Sequence, residues 1–206
     1  MKRFSDINES VWADMHKRSN TGSVRKEDKW FEEKVKAFAE RHELKPNEYS
    51  INGSDLTVDL FRNISISKDD LVDGKLPFKF GKIKGSMWLT NNLQLESLEN
   101  SPTEVDGDFV IYQNRFKDFI GGPELVTGDF AANFNQQLKT LDGSPKKVGG
   151  NYSIVFCSNV KNIDGISPEI GGNLEVTDGE KHRVWCDYSD TEYRRLSDIK
   201  GRIIRR

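Results

Sequence analysis

Apolar positions in this chain recur with a long period. From Ile64 the series runs Met87, Phe109, Phe130, Tyr152 and Leu174, in steps of about 21 to 23 residues. The last five each follow a glycine by two positions, at Gly85, Gly107, Gly128, Gly150 and Gly172. Prolines recur ahead of the glycines at Pro102, Pro123, Pro145 and Pro168, with Pro77 one unit earlier behind a longer spacer. A second apolar column, Leu98, Phe119, Leu141 and Ile163, keeps the same period. Steps of this length lie away from the helical-pair repeats. Ordinary β-hairpins would not hold one period and one corner chemistry through five successive units.

One unit, residues 107–123, shows the physics. In Phe109-Val110-Ile111-Tyr112 alternate side chains face opposite ways, as in a short strand. Asn114 follows, then Phe116 and Phe119, and Gly121-Gly122-Pro123 turns the chain back. Phe109, Ile111, Phe116 and Phe119 are expected inside the coil, with Val105 or Val126 lining the return path. No unit buries that face alone, so neighbours must stack and their strands must pair in parallel. The glycine before each strand suits a tight or positive-φ corner, and the proline falls where no backbone donor is needed. Asn92, Asn114 and Asn135 are placed to satisfy buried backbone groups at the strand exit.

These units resemble the bacterial leucine-rich-repeat form in which a proline precedes a strand, here Leu98…Pro102…Val105…Phe109-x-Ile111…Asn114-x-Phe116. The glycine-pair variant from Leu141 to Tyr152 is similar to repeats of large tailed, T-even-like bacteriophages. The opening Phe4 to Ser19 and the stretch Lys75 to Ile83 resemble segments of the same phage proteins. Cys157-Ser158-Asn159 departs from the pattern by displacing the asparagine. The resemblance implies an α/β repeat fold, a leucine-rich-repeat-like parallel β-solenoid of about six units with a helical N-terminal cap. It brings no assigned activity.

The flanks divide the rest. Residues 1–26 read as an arm and linker: Ser5 is a plausible N-cap for a helix over Asp6 to Arg18, and Ser19 to Lys26 is polar with Gly22. Val11, Trp12 and Met15 line the narrow apolar stripe of that helix, either packed on their own domain or docking into a partner. Residues 27–62 read as a cap. A helix over Asp28 to His42 carries Trp30, Phe31, Val35, Phe38 and Ala39 at the spacing of a buried stripe, and Pro46 closes it. Tyr49 to Ile51 and Leu56 to Leu60 flank a hairpin signal, Asn52-Gly53-Ser54-Asp55. The solenoid itself spans 63–179. Residues 180–206 read as a C-terminal cap and basic tail, with Val184-Trp185 as cover and a short helix over Ser189 to Lys200 bearing Tyr193, Leu196 and Ile199.

Composition agrees with a thin coil. Apolar residues make up 35% of 206, low for a compact globule. The 17 glycines and six prolines are accounted for by corners rather than disorder. A net charge of −2 predicts neither general nucleic-acid binding nor a membrane surface. No apolar run reaches membrane-spanning length, and Met1-Lys2-Arg3 leads into an amphipathic segment rather than a signal-peptide core. Two cysteines, Cys157 and Cys186, make no disulfide framework.

Candidate chemistry is sparse. His16, His42 and His182 share no zinc spacing, and His182 with Cys186 gives only two ligands, so no metal is expected. Cys157 at a strand exit suits a small buried thiol. Gly149-Gly150 and Gly171-Gly172 open no helix and cradle no phosphate. No catalytic residue and no cofactor are expected. The C-terminal cations Arg194, Arg195, Lys200, Arg202, Arg205 and Arg206 are the only feature suited to nucleic acid. Strand parity is more informative. With Phe109 and Ile111 inside, Trp88, Thr90, Val110, Tyr112, Ala131, Asn133, Ser153, Val155, Glu175 and Thr177 face outward. Trp88, Val110 and Tyr112 form an aromatic patch with Asn133 and Val155 at its margin, suited to a protein contact unless a cap covers it. A non-enzymatic protein-binding role is therefore expected. The phage resemblance implies a host protein or a virion component as partner, and the host bacterial cytoplasm or the virion as location.

Overall fold

The computed structural model describes residues 26–52, 55–177 and 188–206. The expected arm helix with Val11, Trp12 and Met15 lies outside these residues, as do Gly53-Ser54, His182, Cys186 and Val184-Trp185. The described strands form two sheets. The first has eight: β1 (Tyr49–Asn52), β2 (Thr57–Leu60), β4 (Lys79–Ile83), β6 (Glu104–Val105), β8 (Leu125–Val126), β10 (Lys147–Val148), β12 (Glu169–Ile170) and β14 (Asp198–Ile199). The second has seven: β3 (Ile64–Ile66), β5 (Met87–Thr90), β7 (Phe109–Tyr112), β9 (Phe130–Ala131), β11 (Tyr152–Ile154), β13 (Leu174–Val176) and β15 (Ile203–Arg205). Neighbours pair in parallel, except that β1 and β2 form an antiparallel hairpin. The result is a parallel β-solenoid of about five turns.

Each coil passes through a strand of the first sheet, a corner, a strand of the second sheet and a third side without a strand. The first sheet occupies what the sequence suggested was a simple return path. Val105 and Val126 are among its fully buried inward residues, with Ile83, Val148 and Ile170. A two-residue strand between a proline and a glycine offers too little alternation to be read from sequence. Helix is confined to α1 (Lys26–Arg41), α2 (Asp190–Leu196) and a single 3-10 turn over Lys68–Asp70 among the described residues.

The expected apolar columns fill the coil. Ile64, Met87, Phe109, Phe130, Tyr152 and Leu174 are at most 4% exposed, and Leu98, Phe119, Leu141 and Ile163 are fully buried. Rings stack between coils, Phe109 on Phe130 at 6.1 Å and Phe130 on Tyr152 at 5.0 Å. Burying one such ring contributes roughly 1.5–3 kcal/mol, so a stacked column is the main cohesive force along the axis.

Polar ladders fix the spacing. Asn92, Asn114 and Asn135 are buried, and their Nδ2 groups donate to Ile66, Leu89 and Ile111 carbonyls at 2.9, 2.7 and 2.9 Å. The amide oxygens of Asn114 and Asn135 accept from the backbone N–H of the preceding coil's asparagine, at 3.2 and 2.8 Å. Cys157 takes the fourth place, its Sγ 3.0 Å from the Ala132 carbonyl, and burial pushes this thiol up to about 12. A second ladder joins the sheets. The side chains of Asn63, Ser86, Asp108, Asp129, Asn151 and Asn173 each accept the backbone N–H of the next coil, ending at Arg202, over 2.6–2.9 Å.

Beside that ladder the glycines stack on one another. A β-carbon on Gly107, Gly128, Gly150 or Gly172 would sit 2.7–2.8 Å from the carbonyl carbon of the glycine one coil earlier. Close approach between coils is what these positions need: of the tight or positive-φ corner that the sequence allows, the tight one is found. Positive φ falls at the opposite corner, on Asn100 (72°), Gly121 (86°), Gly143 (83°) and Gly165 (81°).

The N-terminal end is closed by α1, whose Phe31, Val35, Phe38 and Ala39 are buried. Phe38 meets Phe78 and Phe80 edge-on at 5.2 and 5.7 Å. Trp30 is 47% exposed, off the stripe in which the sequence placed it, because only its neighbour Phe31 reaches the solenoid end. The C-terminal end of α1 is latched by Asp70, whose side chain is wholly buried. Arg41 Nη1 donates to Asp70 Oδ1 at 2.9 Å, His42 Nε2 lies 2.9 Å from the same oxygen, and the Ser67 backbone and hydroxyl donate to Oδ2. Burial by itself would raise this carboxyl's pKa; the bonds from His42, Ser67 and Arg41 outweigh it and hold the carboxyl well below the usual range.

At the other end Ser189 caps α2 through a reciprocal bond with Glu192, and Tyr193 is buried. The final residues are a further rung rather than a tail, since β14 and β15 extend both sheets. Arg205 pairs with Asp190 at 2.8 Å, Arg206 with Glu175 at 2.9 Å, and Arg194 donates to the Ile199 and Gly201 carbonyls.

Candidate functional site

On the earlier coils the outward positions of the second sheet lie where parity puts them. Trp88 sits beside Val110 and Val110 beside Ala131, while Thr90 pairs with Tyr112. Their inward neighbours Met87, Leu89, Phe109 and Ile111 are fully buried, whereas Trp88, Val110, Tyr112 and Asn133 are part-exposed. Farther along, the face is closed over. Val155 is 6% exposed and Ser153 and Thr177 are buried as well. Asn133 Oδ1 accepts the Ser153 hydroxyl at 2.9 Å and the Val155 N–H at 2.7 Å, so these residues tie one another down. Open aromatic surface is therefore concentrated on the earlier coils.

The strand exit carries an unforeseen feature. Asn91, Gln113, Phe134 and Phe156 adopt φ values of 58°, 55°, 60° and 60°. This left-handed step turns the next residue, Asn92, Asn114, Asn135 or Cys157, inward to the ladder. It costs about 1 kcal/mol or more at a bulky residue, offset by the buried bonds it allows. It also lays side chains along the edge of the face. Tyr112 and Phe134 have ring centroids 5.0 Å apart, and Phe134 and Phe156 4.6 Å. Sequence parity ran through the strand and could not follow this reversal; an aromatic directly before Asn135 and before Cys157 was the available signal.

Beside this ladder lies a groove of about 440 Å³ lined by Asn91, Leu93, Gln113, Arg115, Phe134 and Gln137. Leu93 stands at its edge, 62% exposed. A second, more apolar hollow of about 500 Å³ lies at the capped end between Trp30, Phe31, Leu56 and Phe78. The groove mixes amide donors and acceptors, one guanidinium and an apolar rim, which suits holding a polar chain and offers no nucleophile with a base. Among the described residues no group of three or more His, Cys, Asp or Glu side chains could hold a metal, and no helix is long and apolar enough to cross a membrane. Comparison with family models, curated proteins and solved structures finds no match to this chain.

Proposed function

We propose that this chain is a non-enzymatic protein-binding module, and that the outer face of the second sheet, centred on Trp88, Val110 and Tyr112, is its contact surface. The observation that carries the reading is the side-by-side register of these residues on a rigid parallel sheet whose inner face is fully packed. These side chains are only part-buried, so covering the surface they leave open releases binding free energy; one aromatic anchor of this kind commonly accounts for about 2 kcal/mol. Asn133 holds the margin; Val155, expected there too, is buried and contributes only its backbone N–H to Asn133 Oδ1. The proline-preceded units support placing the module among leucine-rich-repeat-like proteins of tailed bacteriophages, with about six units of this type and a host bacterial protein as partner in the host cytoplasm.

The test is capture from host lysate on the immobilised full chain, set against the Trp88→Ala/Tyr112→Ala variant. The expected result is one host protein retained in stoichiometric amount by the parent and lost at least about tenfold by the variant, while melting curves show that the variant is still folded. Equal capture by both removes the sheet face from the reading. Mass spectrometry of purified particles would replace the host partner with a virion one if the chain occurs there at fixed copy number.

A further inference from the structure

Resting on that reading, we infer that the partner presents an acidic, extended segment with apolar side chains, which lies in the groove beside the Tyr112–Phe134 ladder and along the cationic third side. The observation is an imbalance of charge. On the first sheet and its neighbouring corner four lysines are matched across coils: Lys75 to Glu99, Lys82 to Glu104, Lys146 to Glu124 and Lys147 to Glu169, all within 2.5–2.7 Å. On the third side, Arg115 in the groove and Lys117, Lys139 and Lys161 beyond it are exposed, and no hydrogen bond or ion pair among the described residues engages their side chains. Lys117, Lys139 and Lys161 hold one position in successive coils, and the Lys139 N–H donates to the Lys117 carbonyl at 2.8 Å. Like charges are thus stacked at about the 4.8 Å spacing of neighbouring rungs, an arrangement that a negative chain relieves.

The anionic side chains nearby leave this row uncompensated. Glu96 occupies the same position one coil before Lys117 and forms no ion pair with it. Asp118 directly follows Lys117 but is turned to its own loop, accepting the Ile120 N–H at 3.0 Å, while Asp142 and Asp164 lie beyond the buried Leu141 and Ile163. The groove supplies what a polypeptide needs besides charge. Asn91, Gln113 and Gln137 each offer both a donor and an acceptor for backbone amides, and Leu93 with Phe134 offers apolar surface. A single-stranded nucleic acid fits less well. The rings of Tyr112, Phe134 and Phe156 turn toward one another along the coil axis at 4.6–5.0 Å, which leaves no gap in which bases could stack.

Fluorescence anisotropy of the full chain with a labelled peptide of alternating glutamate and leucine tests this. The peptide should bind, a lysine–leucine peptide should not, and Lys117→Glu/Lys139→Glu should weaken binding by about tenfold, as should added salt. Lys146→Glu, on the opposite side, should leave binding unchanged, and melting curves should confirm that all variants fold. Arg115→Gln provides a milder variant at the groove itself. Binding indifferent to the Lys117/Lys139 reversal and to Arg115→Gln overturns the inference, as does absence of binding, or oligothymidylate of equal charge binding more tightly through the same lysines. If Trp88→Ala abolishes capture of the cellular partner while the lysine reversal does not, the acidic segment is excluded and the sheet-face reading stands. If neither variant matters, the sheet-face reading falls as well.

Discussion

The two sheets are made by the same coils and share one interior, yet their outer faces are opposite in kind. Outward on the first sheet run Lys82, Glu104, Leu125, Lys147, Glu169 and Asp198, and the charges close on one another as Lys82–Glu104 and Lys147–Glu169 pairs. Outward on the second run Trp88, Val110 and Ala131, then Thr90 and Tyr112. Backbone pairing is equivalent in both and cannot be the cause of the difference. What distinguishes them is whether the outer row is satisfied within the chain. The first is satisfied and water-facing; the second leaves aromatic area on a rigid support. In a solenoid the interior is dictated by stacking, so the outer rows are where a surface can be specialised without cost to the fold.

The largest effects should come from what the sheets share. Gly128→Val would drive a side chain into the Gly107 peptide at the corner linking both sheets, because the new β-carbon would sit only 2.7 Å from the Gly107 carbonyl carbon. A loss of about 4 kcal/mol is expected, read as a lower urea midpoint at unchanged slope. An unchanged midpoint would show that coils can separate at the corner without penalty. Asn114→Ala comes next. It removes the 2.7 Å bond to the Leu89 carbonyl and strands the Asn92 N–H, both buried, for about 2–3 kcal/mol.

That interior was readable because it is periodic. Phe109, Phe130 and Tyr152 recur with the glycines, and Asn114 and Asn135 recur where the strand must end. Features that depend on tertiary approach were not readable. Glu104–Val105 is too short to reveal a strand, and the Gly128 corner needs glycine because another coil passes close by. The long interval between Val176 and Ile203 hid the last rung, so Arg202 to Arg206 looked like a tail. On the candidate face, parity located Trp88, Val110 and Tyr112. The left-handed step at Phe134 and Phe156 lay beyond it, since φ is not written in a hydrophobic pattern.

The cap latch lies between the extremes. The Asp70 carboxyl has a depressed pKa in the fold, so its stabilisation is complete above the ordinary value of 3.8 and is lost progressively as pH falls below it. Asp70→Asn should lower stability by about 2 kcal/mol at neutral pH and flatten the acid limb of a plot of melting temperature against pH. An equally steep acid limb in the variant would place the acid sensitivity elsewhere. Hydrogen exchange should show α1 opening first, ahead of the coils.

The smallest effect is expected where the first sheet differs most from the second. Lys147 and Glu169 meet at 2.6 Å, yet both side chains remain about half exposed. Water already solvates each charge, and holding two long side chains in one geometry costs entropy, so their coupling should be about 0.5 kcal/mol in a double-mutant cycle and vanish in high salt. Trp88→Ala should change stability by about 1 kcal/mol, because its ring is only part-buried on the outer face of the sheet. The two substitutions separate on binding alone. Lys147→Ala should leave partner capture intact, whereas Trp88→Ala should abolish most of it. If Lys147→Ala disturbs capture as strongly, the paired row of the first sheet is itself part of the contact surface, and the contrast between a satisfied face and an available one loses its functional meaning.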